Sequence, residues 1–265
     1  MKICYIFISI LLILSCQITY AQILHTESFS VILDTTKWIE GSIIPDLEYQ
    51  TQKKDLIEFE NNTNISFHFN NHAITIANKI EFEKYGKEVL LSGGFLYLEF
   101  RNDYRKVTTL EPFIQIHWAE ARGLERKYAA GTYYRYRVIT KKNLGIFAGL
   151  GLFYEYEKWN YDGVDDDLVP ENTDKIESSK IKLGDYISFK YQPNENIFLD
   201  FSAYHQSSFD QIFNTPRLAS SSSITYAFTE HLGITFMYQN IYDYSPVIPI
   251  DKLFNKIISS VTISF

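Results

Sequence analysis

Residues 143–159 read NLGIFAGLGLFYEYEKW, and the alternation in this stretch decides the fold. Leu144, Ile146, Ala148, Leu150, Leu152, Tyr154 and Tyr156 take every second position, while Gly145, Phe147, Gly149, Gly151, Phe153, Glu155 and Glu157 take the positions between. Successive side chains of a strand leave on opposite faces, so period two marks a strand whose two faces differ. The pattern runs unbroken from Leu144 to Glu157. Globular strands usually stop near about five or six residues, whereas a tilted strand that crosses a bilayer needs about 9 to 11. A wall with lipid on one side and an enclosed polar lumen on the other accounts for both sets of side chains.

Working outward, the same alternation recurs. Leu110, Pro112, Ile114, Ile116 and Trp118 face lipid against Glu111, Phe113, Gln115 and His117, and Ala130, Thr132, Tyr134, Tyr136 and Val138 face lipid against Gly131, Tyr133, Arg135 and Arg137. Twelve such segments follow one another, over 37–52, 56–69, 73–85, 89–101, 109–121, 125–139, 143–159, 178–191, 197–208, 218–228, 232–244 and 255–265. The expected fold is all-β: a transmembrane, antiparallel up-and-down β-barrel over residues 37–265. An even strand count returns the chain to its starting side, and closure leaves no sheet edge in lipid. With the first strand running outward, the long connections 161–176, 209–217 and 245–254 fall outside. The short turns 70–71, 140–142, 193–196 and 229–231 fall in the periplasm, the sorting expected of such barrels.

The last strand sharpens this. Ile257, Ser259, Val261, Ile263 and Phe265 alternate with Ile258, Ser260, Thr262 and Ser264, and the chain ends on Phe265. An amphipathic closing strand with a terminal aromatic resembles the signal read by the barrel-assembly machinery, with Val261, Ile263 and Phe265 carrying it. Aromatic belts are expected where the wall meets the headgroups. Trp118, Tyr154, Tyr156 and Tyr242 fall near the outer ends of lipid-facing rows, and Tyr136, Phe189, Tyr191, Phe228 and Phe265 near the inner ends. Asn78 and Asp185 break the pattern by projecting toward lipid, which predicts either a bulge that turns them inward or a register one residue off.

The N-terminus supplies an address. Lys2, the apolar run from Ile3 to Leu14 and the small residues Thr19 and Ala21 before Gln22 form a secretory signal over residues 1–21. The apolar run is too short for a membrane helix, which needs roughly 20 apolar residues. An alternative is lipidation at Cys16, disfavoured because Leu14 is bulky for that box. Both cysteines, Cys4 and Cys16, lie in the leader, so the remaining 244 residues hold no thiol for a disulfide or a metal. Residues 22–36 read as a periplasmic tail. Loss of Lys2 leaves 24 basic and 32 acidic residues, a net charge of −8, which argues against a nucleic-acid partner. Aromatics make up 16% of the chain, yet its hydropathy stays slightly polar, as two-faced strands require. The expected location is the bacterial outer membrane, as a monomer in outer-membrane lipid.

Several of these residues resemble a known family. The start Gln22-Ile23-Leu24 with Asp34 to Trp38 and Gly41-Ser42, the stretch from Phe147 to Trp159, the turn Gln192-Pro193-Asn194-Glu195-Asn196 and the terminal Phe265 are similar to the YdiY-like family of salt-induced outer-membrane proteins. The resemblance spans nearly the whole chain after the leader. It implies place and fold; that family is a domain of unknown function and offers no catalytic or binding residues to carry over.

Candidate chemistry lies first in lumen-facing charges. Pairing through the turn at Lys141 and the connection near Gly123 sets Arg135 about opposite Glu111, with Arg137 and His117 on the same wall. Across the long loop Glu155 and Glu157 come near Lys182 and Lys180. Such rows either select ions in a narrow pore or fill a small lumen as mutually neutralising pairs, and the mixed signs favour filling. The run Tyr161-Asp162-Gly163-Val164-Asp165-Asp166-Asp167 lacks the alternate spacing of a calcium loop and reads as a solvated acidic loop. His205 shares a face with Ser207 and stands near Ser202 and Ser208, a combination worth testing for hydrolysis, but no surrounding motif supports an enzyme. The histidines show no metal-ligand spacing, and Gly149-Leu150-Gly151 lies within a strand, where it lets the wall curve and cannot cradle phosphate. No cofactor is expected. The functional expectation is a small passive channel or a structural envelope component. The alternatives are a surface-binding module acting through the outer loops and, behind it, a hydrolase.

Overall fold

Two-faced strands need a different medium on each side, and the chain meets that need by closing on itself. The computed structural model describes residues 38–265 apart from 52–54, 121–122, 163, 165–166, 172–175, 210 and 212–213. The leader 1–21, the tail 22–36 and the segment ends at Lys37, Gln52 and Ala121 lie outside the described residues. The strands are β1 (Ile39–Gln50), β2 (Leu56–Phe69), β3 (His72–Tyr85), β4 (Glu88–Arg101), β5 (Thr108–Ala119), β6 (Leu124–Lys141), β7 (Leu144–Trp159), β8 (Ile176–Asn194), β9 (Ile197–Ser208), β10 (Arg217–Ala227), β11 (Leu232–Asp243) and β12 (Leu253–Ser264). Each pairs antiparallel with its sequence neighbour, and β12 returns to β1, giving a closed twelve-stranded up-and-down barrel.

Strands β6, β7 and β8 are the longest, and β8 reaches from Ile176 to Asn194, past the span expected from alternation alone. Its extra residues at the start are fixed by pairing: Ile176 sits opposite Trp159 and Glu177 opposite Lys158. The end that carries Ile39 and Ser264 is called here the terminal end, and the opposite end, which bears the connection 160–175, the loop end. Tight turns use the left-handed backbone where they must. Asn70 (φ 55°) closes β2 onto β3, and Gly123 (φ 75°) immediately precedes β6, where a side chain would meet the Asn160 carbonyl at 2.4 Å.

Burial is inverted relative to a soluble domain. The exterior exposes Leu150, Ile114, Phe236 and Ile257, each more than half accessible, while Tyr97, Glu111, Lys127 and Glu155 on the inner wall are almost wholly inaccessible. Apolar residues outside and ionised residues inside suit a barrel whose solvent is hydrocarbon. Aromatic pairs rim the apolar zone: Tyr128 stacks with Tyr156 toward the loop end, and Phe189–Tyr191 and Tyr226–Phe228 sit toward the terminal end. Phe265 lies against Gly41, where a side chain would meet its ring at 2.8 Å.

The two exceptions to the pattern do not turn inward. The β7–β8 ladder runs without a shift through Leu150↔Asp185, and the only irregularity on β3 and β4, between Glu83 and Lys84, lies beyond Asn78. Asp185 and Asn78 therefore face outward, correcting the expectation of a bulge or a slipped register. Asp185 is tolerated there because His205, directly across the ladder, bonds it through Nδ1 at 2.8 Å. A paired ionisable group projecting from such a wall is less costly than a lone one.

Candidate functional site: the lumen and its seam

Inward-facing side chains of β4 to β11 stack in layers. Nearest the loop end is an apolar cap of Ala119, Leu124 and Trp159 with Ile248, which the connection 244–252 folds down onto them. Beneath it lies an ion cluster. Lys127 Nζ is 2.6 Å from Glu155 and 3.5 Å from Glu157; Arg217 reaches Asp243 at 2.8 Å, Glu157 at 3.3 Å and Glu155 at 3.4 Å; Lys182 also bonds Glu155. Next comes an aromatic layer, Tyr97–Phe113–Tyr133–Tyr186–Tyr204 with Phe153 beside Phe113, ring centroids 5.5 to 6.0 Å apart. Offset and edge-on contacts of this length are the favoured aromatic geometry. A second ion cluster follows toward the terminal end, where Glu111 meets Arg135 at 3.0 Å and Arg101 at 3.1 Å and accepts a hydrogen bond from Tyr186 at 2.9 Å.

Glycines make this packing possible. A side chain at Gly149 would meet the Tyr186 ring at 2.1 Å, and one at Gly151 the Tyr133 ring at 2.7 Å. The Gly149-Leu150-Gly151 stretch thus gives up inner-wall side chains to seat two rings from neighbouring strands.

The lumen candidates from sequence divide into three groups. Glu111, Arg135, Glu155, Glu157 and Lys182 enter the two ion clusters. Register sets Arg135 opposite Thr109, one diagonal step from Glu111, and Lys182 opposite Phe153, one step from Glu155. His117 is on the inner wall opposite Phe95, buried, with Gln115 beside it. Arg137 and Lys180 lie elsewhere. The Arg137 guanidinium donates to the Tyr104 carbonyl and holds the β4–β5 connection at the terminal end. Lys180 is exposed at the loop end, opposite Glu155, while Glu157 takes Lys127 and Arg217 as its partners. The expected Glu157–Lys180 pairing is therefore replaced by Lys127, directly opposite on β6, and by Arg217, reached across the lumen.

Lys127, Arg217 and Asp243 are the residues that alternation could have supplied and did not. Lys127 shares parity with Gly131 and Tyr133, and Arg217 and Asp243 stand at the ends of their strands.

On the opposite side of the barrel, against β1 to β4 and β12, lies a cavity of about 440 Å³. Its wall carries Glu48, Glu58, Glu60, Glu81 and Glu83. Among the described residues, Lys256 bonds Glu60 at 3.0 Å, and Lys79 lies 3.6 Å from Glu60 and also bonds Glu81. Glu48 stands opposite Glu58, and Glu58 opposite Glu83, so one register row holds three carboxylates. Like charges placed directly opposite repel in a sheet, so this row gathers carboxylates on one stretch of the wall.

The remaining sequence candidates do not converge. Ser207 Oγ donates to the Gln211 carbonyl at 2.8 Å, while His205 bonds Asp185 and Ser202 is fully buried on the inner face. Asp165, Asp166 and Gly163 of the acidic loop lie outside the described residues. Among the described residues no group of three His, Cys, Asp or Glu is disposed to hold a metal ion.

No protein-family model matches the chain, and neither does any curated protein sequence; the family resemblance above rests on its quoted motifs alone. Solved structures of similar shape include the NanC porin (12% identity, TM-score 0.43, covering 85% of this chain and 97% of that one) and the KdgM porin (7% identity, TM-score 0.43, 86% and 98%). The CymD monoaromatic hydrocarbon channel is a more distant likeness (8% identity, TM-score 0.27, 85% and 87%).

Proposed function

We propose that the protein is a narrow passive channel of the bacterial outer membrane, with a preference for small cations. The observation that carries this is the glutamate-lined cavity within a closed barrel, set beside a sector that ion pairs and aromatics fill. Carboxylates on a confined wall raise local cation concentration and repel anions. Closure within a single chain supports a monomer as the conducting unit, with outer-membrane lipid as its surroundings and the barrel-assembly machinery as its route there.

Planar-bilayer recording tests it. Purified protein should give discrete conductance, and a salt gradient should give a reversal potential on the cation-selective side. Converting Glu58 and Glu83 together to glutamine should move that potential toward zero. An absence of conductance over repeated insertions, or a reversal potential indifferent to the double substitution, would sink the proposal.

A further inference from the structure

The seam between β1 and β12 is unlike the other eleven. Its ladder consists of Ser42↔Ser264 and Ile43↔Ile263, extended only by reciprocal backbone hydrogen bonds between Gly41 and Phe265 at 3.1 and 3.2 Å. Among the described residues no pairing with β12 continues along β1 from Ile44 to Gln50, although that same stretch is fully paired with β2 on its other side. The interruption is written into the sequence. Gly41 turns both its N–H and its carbonyl toward β12, so by alternation Ile43 and Pro45 present their backbone to the same side, and Pro45 has no N–H to give. Proline within a sheet belongs on an edge.

The glutamate cavity reaches this gap. Five consecutive residues of β12, Lys256 to Ser260, line it. Lys256, Ile258 and Ser260 belong to the inner face, whereas Ile257 and Ser259 belong to the outer face, where Ile257 is 56% exposed. Ile44 and Glu48 of β1 line it as well, so the cavity is bordered by residues from both sides of the gap. Phe59, on the outer face of β2, also borders it. Unpaired backbone cannot rest against hydrocarbon, so water or a polar group must reach the opening from inside.

We propose that the β1–β12 gap is a lateral portal between lumen and bilayer that admits single-chain amphiphiles with a cationic head. The glutamates hold the head, and Phe59 and Ile257 guide the alkyl tail toward the lipid. This rests on the reading of the cavity as the water-filled conduit, and the test separates the two.

The probe is a dodecyltrimethylammonium carrying a diazirine at the tail end, used on the full chain in lipid nanodiscs, with the matching alkyl sulfate as charge control. Photolabelling, mapped by mass spectrometry, should concentrate on Ile257, Phe59 and their neighbours, be competed by plain dodecyltrimethylammonium and exceed the sulfate by about tenfold. Leu47→Cys with Val261→Cys, outer-face positions that do not line the cavity, bridged by a short bismaleimide, should abolish that labelling while leaving salt conductance in place. Pro45→Val, which restores the missing N–H, should lower the labelling without any cross-link. Labelling spread evenly round the barrel, equal labelling by the sulfate, or labelling indifferent to both the bridge and Pro45→Val would overturn the portal. Portal labelling without conductance would keep the portal and remove the channel.

Discussion

At the scale of single residues, Lys127 shows how the lumen balances its charges. It is 2% exposed and lies between Glu155 and Glu157. Removing one member of a buried ionic set strands the other, at a cost of about 3 to 5 kcal/mol. Lys182 and Arg217 remain beside Glu155, so Lys127→Met should fall near the low end, about 3 kcal/mol, measured by denaturant unfolding in lipid vesicles. Lys158, on the outer face at 25% side-chain exposure near Glu125 and Glu177, makes the contrasting case: Lys158→Ala should change stability by less than about 1 kcal/mol. Gly149 tests packing instead of charge. Gly149→Ala drives a methyl into the Tyr186 ring and should cost about 1 to 3 kcal/mol. Trimming that ring as well, in Gly149→Ala with Tyr186→Ser, should cost less than the two single changes added together, the sign of a shared contact. Full additivity would show that the ring has room to move.

At the scale of elements, the short β1–β12 ladder makes Phe265 disproportionately important. Deleting it removes both hydrogen bonds to Gly41 and the ring that lies against that residue, leaving the seam two register pairs. Assembly should fall sharply, read as loss of the heat-modifiable band and of membrane abundance. Normal levels of the folded band would contradict this. The same strands show what alternation reveals and what it hides. Inner and outer faces of β5, β6 and β7 were legible because each side chain's side follows from its parity alone, and β2 and β9 kept the spans read from sequence. Partners were harder. Glu157 pairs across the lumen with Arg217, sixty residues away, and no local pattern encodes a contact made by barrel curvature. The acidic sector was hidden for the same reason: Glu48, Glu58 and Glu83 look like ordinary alternating carboxylates until three strands lie side by side in register.

At the scale of the whole molecule, the two halves of the lumen are packed differently. The sector from β4 to β11 is a packed interior of ion pairs and rings. The sector around β1 to β4 and β12 keeps a cavity and a seam of two register pairs. The apolar cap joins these halves at the loop end, because Ile248 on the 244–252 connection packs on Trp159 and Leu124. Both Ile248 and Trp159 are buried, so the connection acts as a fixed lid held by apolar contact. Ile248→Asp should release it, since burying an unpaired carboxylate is strongly disfavoured. The barrel below has its own ladders and ion clusters, so the heat-modifiable band should persist. If the cap restricts the conduit, single-channel conductance of Ile248→Asp should rise above that of the wild type while the reversal potential stays on the cation side, because the glutamates that set it are untouched. Unchanged conductance with a demonstrably mobile 244–252 connection would place the narrowest point deeper, in the aromatic layer, and Tyr97→Ala would then be the variant that enlarges the current.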